Sequence, residues 1–86
     1  MELKLTDAAK EDIKFFIKSG QNNIVKKIEK LLISIQEHPF TGIGKPEPLK
    51  YEYSDKWSRR IDSEHRIVYQ VVDDTIYIYS VKGHYS

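Results

Sequence analysis

Residues 66–82 read RIVYQVVDDTIYIYSVK, two runs of mostly alternating apolar and polar side chains on either side of Asp73-Asp74. Alternation with a period of two is typical of β-strands, because successive side chains point to opposite faces of a sheet. Adjacent aspartates between two such runs favour a tight turn. We therefore predict a β-hairpin made of a strand over residues 66–72 and a second strand over residues 75–82.

The same alternation assigns the two faces of this hairpin. One face is apolar and is expected to meet the helices: Ile67, Tyr69, Val71, Ile76 and Ile78. The other face is polar and aromatic: Arg66, Gln70, Tyr77 and Tyr79. Pairing across the turn places Arg66 opposite Val81. His84 and Tyr85 then lie at the same end of the sheet as Arg66, about 10 Å or a little more away at ~3.3 Å per residue.

The first half of the chain has helical periodicity. Residues 2–5 alternate like a short strand, and apolar residues then recur at one-face helical spacing. Thr6 or Asp7 is a suitable N-cap for the first helix, and Gly20 is a suitable stop for it. Pro39 ends the second helix. We predict a two-helix hairpin over residues 6–37.

The remaining segment is a loop followed by β-structure. Residues 39–48 contain three prolines and two glycines without periodicity, which is typical of a loop. Residues 49–53 and 57–61 are predicted strands. The order strand, two helices, four strands indicates an α+β fold, with the N-terminal strand and the helix hairpin packed on an antiparallel β-sheet. The length predicts a single domain over residues 1–86.

Composition limits the chemistry and the compartment. The chain has no cysteine, so disulfide and thiolate chemistry are excluded. No apolar run approaches the ~18 residues of a membrane helix, and residues 1–5 lack the long apolar stretch of a signal peptide. A soluble cytoplasmic protein that is not bound to a membrane is the expectation.

The charges are nearly balanced, with 14 Lys and Arg against 13 Asp and Glu. A net charge of +1 is low for a protein that binds free nucleic acid, since phosphate neutralisation supplies most of that affinity. Lysines are concentrated in residues 4–30, and arginines follow at positions 59, 60 and 66. The lysines are either the solvated face of two amphipathic helices or a surface for RNA.

Several kinds of site have no pattern in this sequence. The histidines at positions 38, 65 and 84 lack metal-ligand spacing, and neither a Gly-x-Ser-x-Gly turn nor a phosphate-binding glycine loop is found. What remains is a carboxylate, a guanidinium and an imidazole: Glu47, Arg66 and His84. Such a set suits metal-free RNA cleavage. In that reaction a base takes the proton of the 2′-hydroxyl, an arginine stabilises the charge on the phosphate, and an acid protonates the leaving 5′-oxygen.

Each of these residues also has a simpler interpretation. Glu47 is stiffened by Pro46 and Pro48 but is otherwise an ordinary loop glutamate. Arg66 suits a structural salt bridge, and a terminal His84 suits a frayed end. His65 follows a turn, so we expect it to be exposed to solvent on the face opposite to Arg66.

Four segments resemble a known family. They are KPEPLK at 45–50, WSRRI at 57–61, EHRIVY at 64–69 and the final His84-Tyr85. In this order and spacing they resemble the YoeB/Txe toxins of bacterial type II toxin–antitoxin modules, within the RelE-type superfamily. The resemblance extends to VKKI at 25–28 and to Pro39-Phe40-x-Gly42-x-Gly44, so it spans nearly the whole chain.

The resemblance implies a RelE-like microbial RNase-type fold and a ribosome-dependent mRNA endonuclease that cleaves in the A site of the 30S subunit. It implies a general base, a phosphate clamp, a general acid and a residue that orders the substrate, namely Glu47, Arg66, His84 and Tyr85. Residues for RNA contact would be Lys50, Arg59 and Arg60. It implies no cofactor and no metal, a cognate YefM/Axe-like antitoxin as partner, and a homodimer.

Two alternatives remain open at the sequence level. One is a non-catalytic toxin or binding module of the same superfamily that acts on another target, such as DNA gyrase. The other is a folded antitoxin-binding partner without activity. Gly83 stands where many relatives have a bulkier residue, and Ser86 follows the usual His-Tyr ending, so the pose of His84 is the least defined part of the predicted site.

Overall fold

The computed structural model describes residues 1–83, which form one mixed sheet and two α-helices. The strands are β1 (Glu2–Leu5), β2 (Glu47–Pro48), β3 (Trp57–Arg60), β4 (Arg66–Val72) and β5 (Thr75–Ser80). The helices are α1 (Asp7–Lys18) and α2 (Asn22–Glu37), and a short 3-10 helix covers Tyr51–Tyr53. The predicted α+β fold, with a helix hairpin on a sheet after an N-terminal strand, is confirmed.

The five strands lie in the order β1-β5-β4-β3-β2. Strands β2 to β5 pair antiparallel with their neighbours, whereas β1 pairs with β5 in parallel. The sheet is therefore mixed rather than wholly antiparallel. Period-two alternation identifies residues 2–5 as a strand but does not say which neighbour it joins or in which direction it runs.

The helices begin and end at the residues that the sequence indicates. The hydroxyl of Thr6, one of the two expected N-caps, accepts the N–H of Ala9 at 3.2 Å. The same hydroxyl donates to the carbonyl of Tyr79 on β5 at 3.1 Å, which ties the start of α1 to the sheet. Gly20 separates the helices at a φ of +72°, and α2 ends two residues before Pro39.

One hydrophobic core lies between the helices and the sheet. From the helices it takes Ala9, Phe16, Ile28, Leu31 and Ile35, and from the sheet and its ends Ile61, Ile67, Tyr69, Ile76, Ile78 and Val81. Burial of each large apolar side chain contributes about 1.5–3 kcal/mol. The predicted helix-facing side of the hairpin is confirmed. We call the other side of the sheet the open face; it carries Ser58, Arg60, Arg66, Val68 and Gln70.

The predicted strand over residues 49–53 is wrong. β2 is only Glu47–Pro48, and the 3-10 helix follows, with Tyr51 at a φ of +59° and 91% exposed. The N–H of Tyr53 bonds to the carbonyl of Lys50, so the backbone closes locally. β3 ends at Arg60 rather than residue 61, and β5 ends at Ser80 rather than residue 82.

The β4–β5 pairing contains a bulge. It starts at Val72 opposite Thr75, as the turn predicts, but Tyr69 faces Ile78 and Val68 faces Ser80. The extra residue shifts the later pairing, so the prediction that Arg66 lies opposite Val81 is wrong. The backbone N–H of Arg66 instead donates to the carbonyl of Gly83 at 2.8 Å, which brings the last described residue directly beside Arg66.

Within residues 1–83, neither helix is long and apolar enough to cross a membrane.

Candidate active site on the open face of the sheet

Glu47 and Arg66 form an ion pair on the open face. Arg66 Nη1 donates to Glu47 Oε1 at 2.7 Å, although the two residues are 19 positions apart. The pairing explains the contact: Glu47 lies opposite Ser58 on β3, and Arg66 lies opposite Arg60 on the same strand. Directly opposed residues share a face of a sheet, so these side chains converge. Both remain accessible, with 56% of the Glu47 side chain and 25% of the Arg66 side chain exposed.

The local sequence fixes the position of Glu47. Pro46 and Pro48 restrict the backbone on both sides, and Pro48 is tolerated because β2 is an edge strand. Immediately after it, the N–H of Leu49 donates to the carbonyl of Lys56 at 2.9 Å. The carboxylate is therefore presented by a short, stiff edge strand rather than by a free loop.

The open face around this pair carries excess positive charge. Arg60 is exposed and lies directly across from Arg66, so two guanidinium groups accompany one carboxylate. The contact with Glu47 uses Nη1 of Arg66, whereas a guanidinium has five N–H donors in a fork that matches phosphate oxygens. Lys50 is also exposed, three residues after Glu47. The arrangement suits a phosphate group close to a carboxylate base.

A polar cluster continues the open face toward the β4–β5 turn. Gln70 donates to Asp55 Oδ2 at 2.8 Å and accepts from the Tyr79 hydroxyl at 2.6 Å. The ammonium group of Lys56 lies 5.1 Å from the centre of the Tyr79 ring. Nearer to Glu47, the hydroxyl of Ser58 is buried and has no hydrogen-bond partner among the described residues. The face therefore combines charged, aromatic and hydrogen-bonding groups beyond the ion pair itself.

Arg59 is not on this face, and the prediction that it contacts RNA is wrong. The side chain has 0% exposure. Its guanidinium donates to three carbonyls and two hydroxyls, those of His38, Thr41, Ile43, Ser34 and Tyr69. The Tyr69 hydroxyl in turn donates to the carbonyl of Pro39 at 2.5 Å, and burial raises the pKa of this phenol even though the hydrogen bond from Arg59 lowers it.

Arg59 instead holds the loop that leads to Glu47. We call residues 39–46 the glycine loop. A Cβ on Gly42 would lie 2.7 Å from Ser34 Oγ and 3.2 Å from Arg59 Nη1, and a Cβ on Gly44 would lie 2.7 Å from Leu31 Cδ2. Both glycines have positive φ, +119° and +82°. The loop therefore folds tightly around a buried arginine, and this packing sets where β2 begins.

The predicted acid and its neighbour, His84 and Tyr85, lie outside the described residues 1–83. The structure does define the chain immediately before them. The N–H of Gly83 donates to His65 Nδ1 at 2.9 Å, and its carbonyl accepts the N–H of Arg66 at 2.8 Å. Two residues earlier, the N–H of Val81 donates to Asp12 Oδ2 on α1 at 3.0 Å. The backbone leading to His84 is thus attached at both Val81 and Gly83.

His65 differs from its expected environment. It lies on the face opposite to Arg66, as predicted, but it is only 8% exposed, so the expectation of a solvent-exposed histidine is wrong. Its ring packs edge-on against Phe16, with 5.0 Å between the ring centres. Alternation places His65 on the same face as Ile67, and this signal was available in the sequence.

Asp62 shapes the turn that delivers His65 and Arg66. Its Oδ1 accepts the backbone N–H groups of Glu64 at 2.8 Å and His65 at 2.7 Å. Partial burial works to raise the pKa of Asp62, but these two hydrogen bonds and the nearby His65 outweigh it and hold the pKa below the ordinary 3.8. Among residues 1–83, no three His, Asp or Glu side chains are grouped so that they could hold a metal ion.

The comparisons with known proteins agree with this architecture. A family model described as "YoeB-like toxin of bacterial type II toxin-antitoxin system" matches residues 5–85. The toxin YoeB of Synechocystis sp. is 42% identical over 86 residues, which cover 100% of this chain and 99% of that protein. Among solved structures, a YoeB/ParE toxin from Agrobacterium tumefaciens has a TM-score of 0.93 at 37% identity, covering 99% of this chain and 100% of that chain.

Structures of YoeB from Staphylococcus aureus, 44% identical, include a dimer with a TM-score of 0.87 and a YoeB–YefM complex with a TM-score of 0.86. In both comparisons 99% of this chain and 98% of the other chain are covered. The family model and the solved structures match this chain along nearly its whole length. The protein is therefore a toxin of a bacterial type II toxin–antitoxin system. Within that class, the chain belongs to the YoeB family.

Proposed function

We propose that this toxin is a ribosome-dependent endoribonuclease that cuts mRNA in the A site of the 30S subunit and thereby stops translation. Glu47 is the general base, Arg66 clamps the scissile phosphate, His84 is the general acid and Tyr85 orders or stacks on the substrate. Lys50 and Arg60 contact the RNA. The observation that carries the proposal is the 2.7 Å contact between Glu47 and Arg66 on an accessible face.

The proposed reaction is a transfer of the phosphoryl group within the RNA, without a metal ion or a cofactor. Glu47 takes the proton of the ribose 2′-hydroxyl, and that oxygen attacks the adjacent phosphorus. The bond from phosphorus to the 5′-oxygen breaks, and His84 gives that oxygen a proton. A 2′,3′-cyclic phosphate and a 5′-hydroxyl result. Arg66 stabilises the charge on the phosphoryl oxygens while it develops.

The ion pair of the free toxin is compatible with this division of roles. A partly exposed pair contributes only about 0–1 kcal/mol, so a phosphate group can replace the carboxylate on Arg66 at small cost. An arginine–phosphate contact is charge-assisted and can be bidentate. Its formation frees the Glu47 carboxylate beside the bound nucleotide, where a base is required.

The ribosome and an antitoxin are the proposed partners. With a net charge of +1, the toxin lacks the charge that usually gives strong binding to free RNA, so the ribosome would position the substrate. The YoeB–YefM complex of the Staphylococcus aureus relative supports a YefM-like antitoxin, and the YoeB dimer supports a homodimer. The site of action is then the cytoplasm.

Primer extension on translating ribosomes tests the proposal. Wild-type toxin should produce cuts within the A-site codon, naked RNA at physiological salt should be cut poorly, and His84→Ala should abolish the cuts. Identical cleavage by wild type and His84→Ala would contradict the assigned mechanism. Intact mRNA together with DNA damage would instead support the gyrase-type alternative.

A further inference from the structure

The last described residue, Gly83, is attached through its backbone. Gly83 has a φ of +73°, and no atom lies within 4 Å of where its Cβ would be. It therefore has no side-chain packing, and Lys82 beside it is exposed. Two backbone hydrogen bonds hold Gly83, one to His65 Nδ1 and one from the N–H of Arg66. Chain termini fray unless such contacts tie them down.

The contact with His65 defines the chemical state of the imidazole. The backbone N–H of Gly83 can only donate, so Nδ1 must carry a lone pair and the proton of the neutral ring is on Nε2. Nε2 lies 3.9 Å from Glu64 Oε2, close to a carboxylate but beyond hydrogen-bond distance. The edge-on contact with Phe16 and the burial of the ring hold this orientation.

The attachment joins Gly83, the residue before the proposed acid, to the proposed clamp. His65 and Arg66 are neighbours in sequence, and both bond to Gly83, while the Arg66 side chain reaches Glu47. Asp62 fixes the turn that precedes them through two N–H groups. A displacement of Gly83 would therefore move residue 84 relative to the guanidinium that holds the phosphate.

We propose that His65 is a positioning residue: its Nδ1 anchors Gly83 and so sets where His84 begins relative to Arg66. The effect on cleavage rests on the proposed function. The anchoring of Gly83 by His65 does not depend on it. His65 does not reach the substrate from the helix-facing side of the sheet. It acts through the backbone of Gly83.

Two substitutions distinguish the contribution of the acceptor atom from that of the aromatic ring. His65→Phe keeps an aromatic ring against Phe16 but removes the acceptor, whereas His65→Asn places an amide oxygen near the position of Nδ1 and removes the ring. His38→Phe is the matched control, because the His38 side chain is exposed at the end of α2. Thermal unfolding of each variant shows whether it is folded at the assay temperature.

The first readout is the hydrogen exchange of the Gly83 amide, measured by NMR in the toxin without ribosomes. His65→Phe should speed exchange of this amide at least about tenfold, the factor that corresponds to losing one hydrogen bond of ~1.4 kcal/mol. His65→Asn should restore part of the protection, and His38→Phe should leave it unchanged. Unchanged protection of Gly83 in His65→Phe would overturn the anchoring.

The second readout is cleavage of ribosome-bound mRNA. His65→Phe should lower kcat by more than about tenfold with KM for ribosomes nearly unchanged, since misplacing a catalytic group affects the chemical step. His65→Asn should recover part of kcat even if its unfolding temperature is lower than that of His65→Phe. A wild-type kcat in His65→Phe would overturn the positioning role. If wild-type toxin cuts no mRNA, the proposed function fails, whereas the Gly83 exchange result still decides the anchoring.

Discussion

At the scale of single residues, two adjacent arginines have opposite environments. Arg59 is fully buried and bonds to the glycine loop, whereas Arg60 is exposed across from Arg66. The alternation in WSRRI already placed Arg59 with Trp57 on the helix-facing side. The family resemblance instead implies RNA contact for Arg59, and full burial of an arginine is rare enough that alternation alone does not overrule it. The five acceptors that make burial possible come from distant segments and leave no local pattern in the sequence.

Arg59→Met should therefore destabilise the toxin. The substitution keeps the apolar bulk but leaves the carbonyls of His38, Thr41 and Ile43 without their donor. We expect a loss of about 3 kcal/mol or more in the free energy of unfolding, measured by urea denaturation. Arg60→Met is the matched control and should change stability by no more than about 0.5 kcal/mol. Equal stabilities for the two variants would mean that the buried network contributes little.

At the scale of elements, β4 and the two helices follow from the sequence, but the details around the site do not. Residues 49–53 alternate like a strand, yet Tyr51–Tyr53 form a 3-10 helix, in which the N–H of Tyr53 bonds to the carbonyl of Lys50. The bulge at Tyr79 is also absent from the pattern, since register depends on contacts between strands. This shift matters for the proposed site because it brings Gly83, rather than Val81, to Arg66.

Gly44→Ala tests how tightly the glycine loop packs against α2 and β3. The new methyl group would meet Leu31 Cδ2 at 2.7 Å and the carbonyl of Arg60 at 3.0 Å, at a φ of +82°. We expect a loss of about 2–4 kcal/mol in thermal or urea unfolding, the sum of overpacking and a left-handed backbone.

Gly20→Ala provides the control for backbone strain alone. It has a similar φ of +72°, but nothing lies within 4 Å of its Cβ position. We expect it to cost about 1–2 kcal/mol. If both alanine variants lose the same stability, the glycine loop is not closely packed against α2 and β3.

At the scale of the whole molecule, the strand order assembles the site. β3 lies between β2 and β4, so one strand separates Glu47 from Arg66. The same strand carries Arg60, directly opposite Arg66. The helices cover the other side of the sheet, so the ion pair lies on the side away from them. The sequence predicts this layering from alternation, whereas the parallel attachment of β1 to β5 depends on how the helix hairpin crosses the sheet.

In the proposed mechanism, the Glu47 carboxylate acts as the base in mRNA cleavage on the ribosome. Its most direct test is the single-turnover rate of cleavage of ribosome-bound mRNA by wild type and by Glu47→Gln, which keeps the shape of the side chain and removes its basicity. We expect Glu47→Gln to lose at least about 100-fold in rate while it still binds ribosomes. Cleavage by Glu47→Gln at the wild-type rate would contradict it.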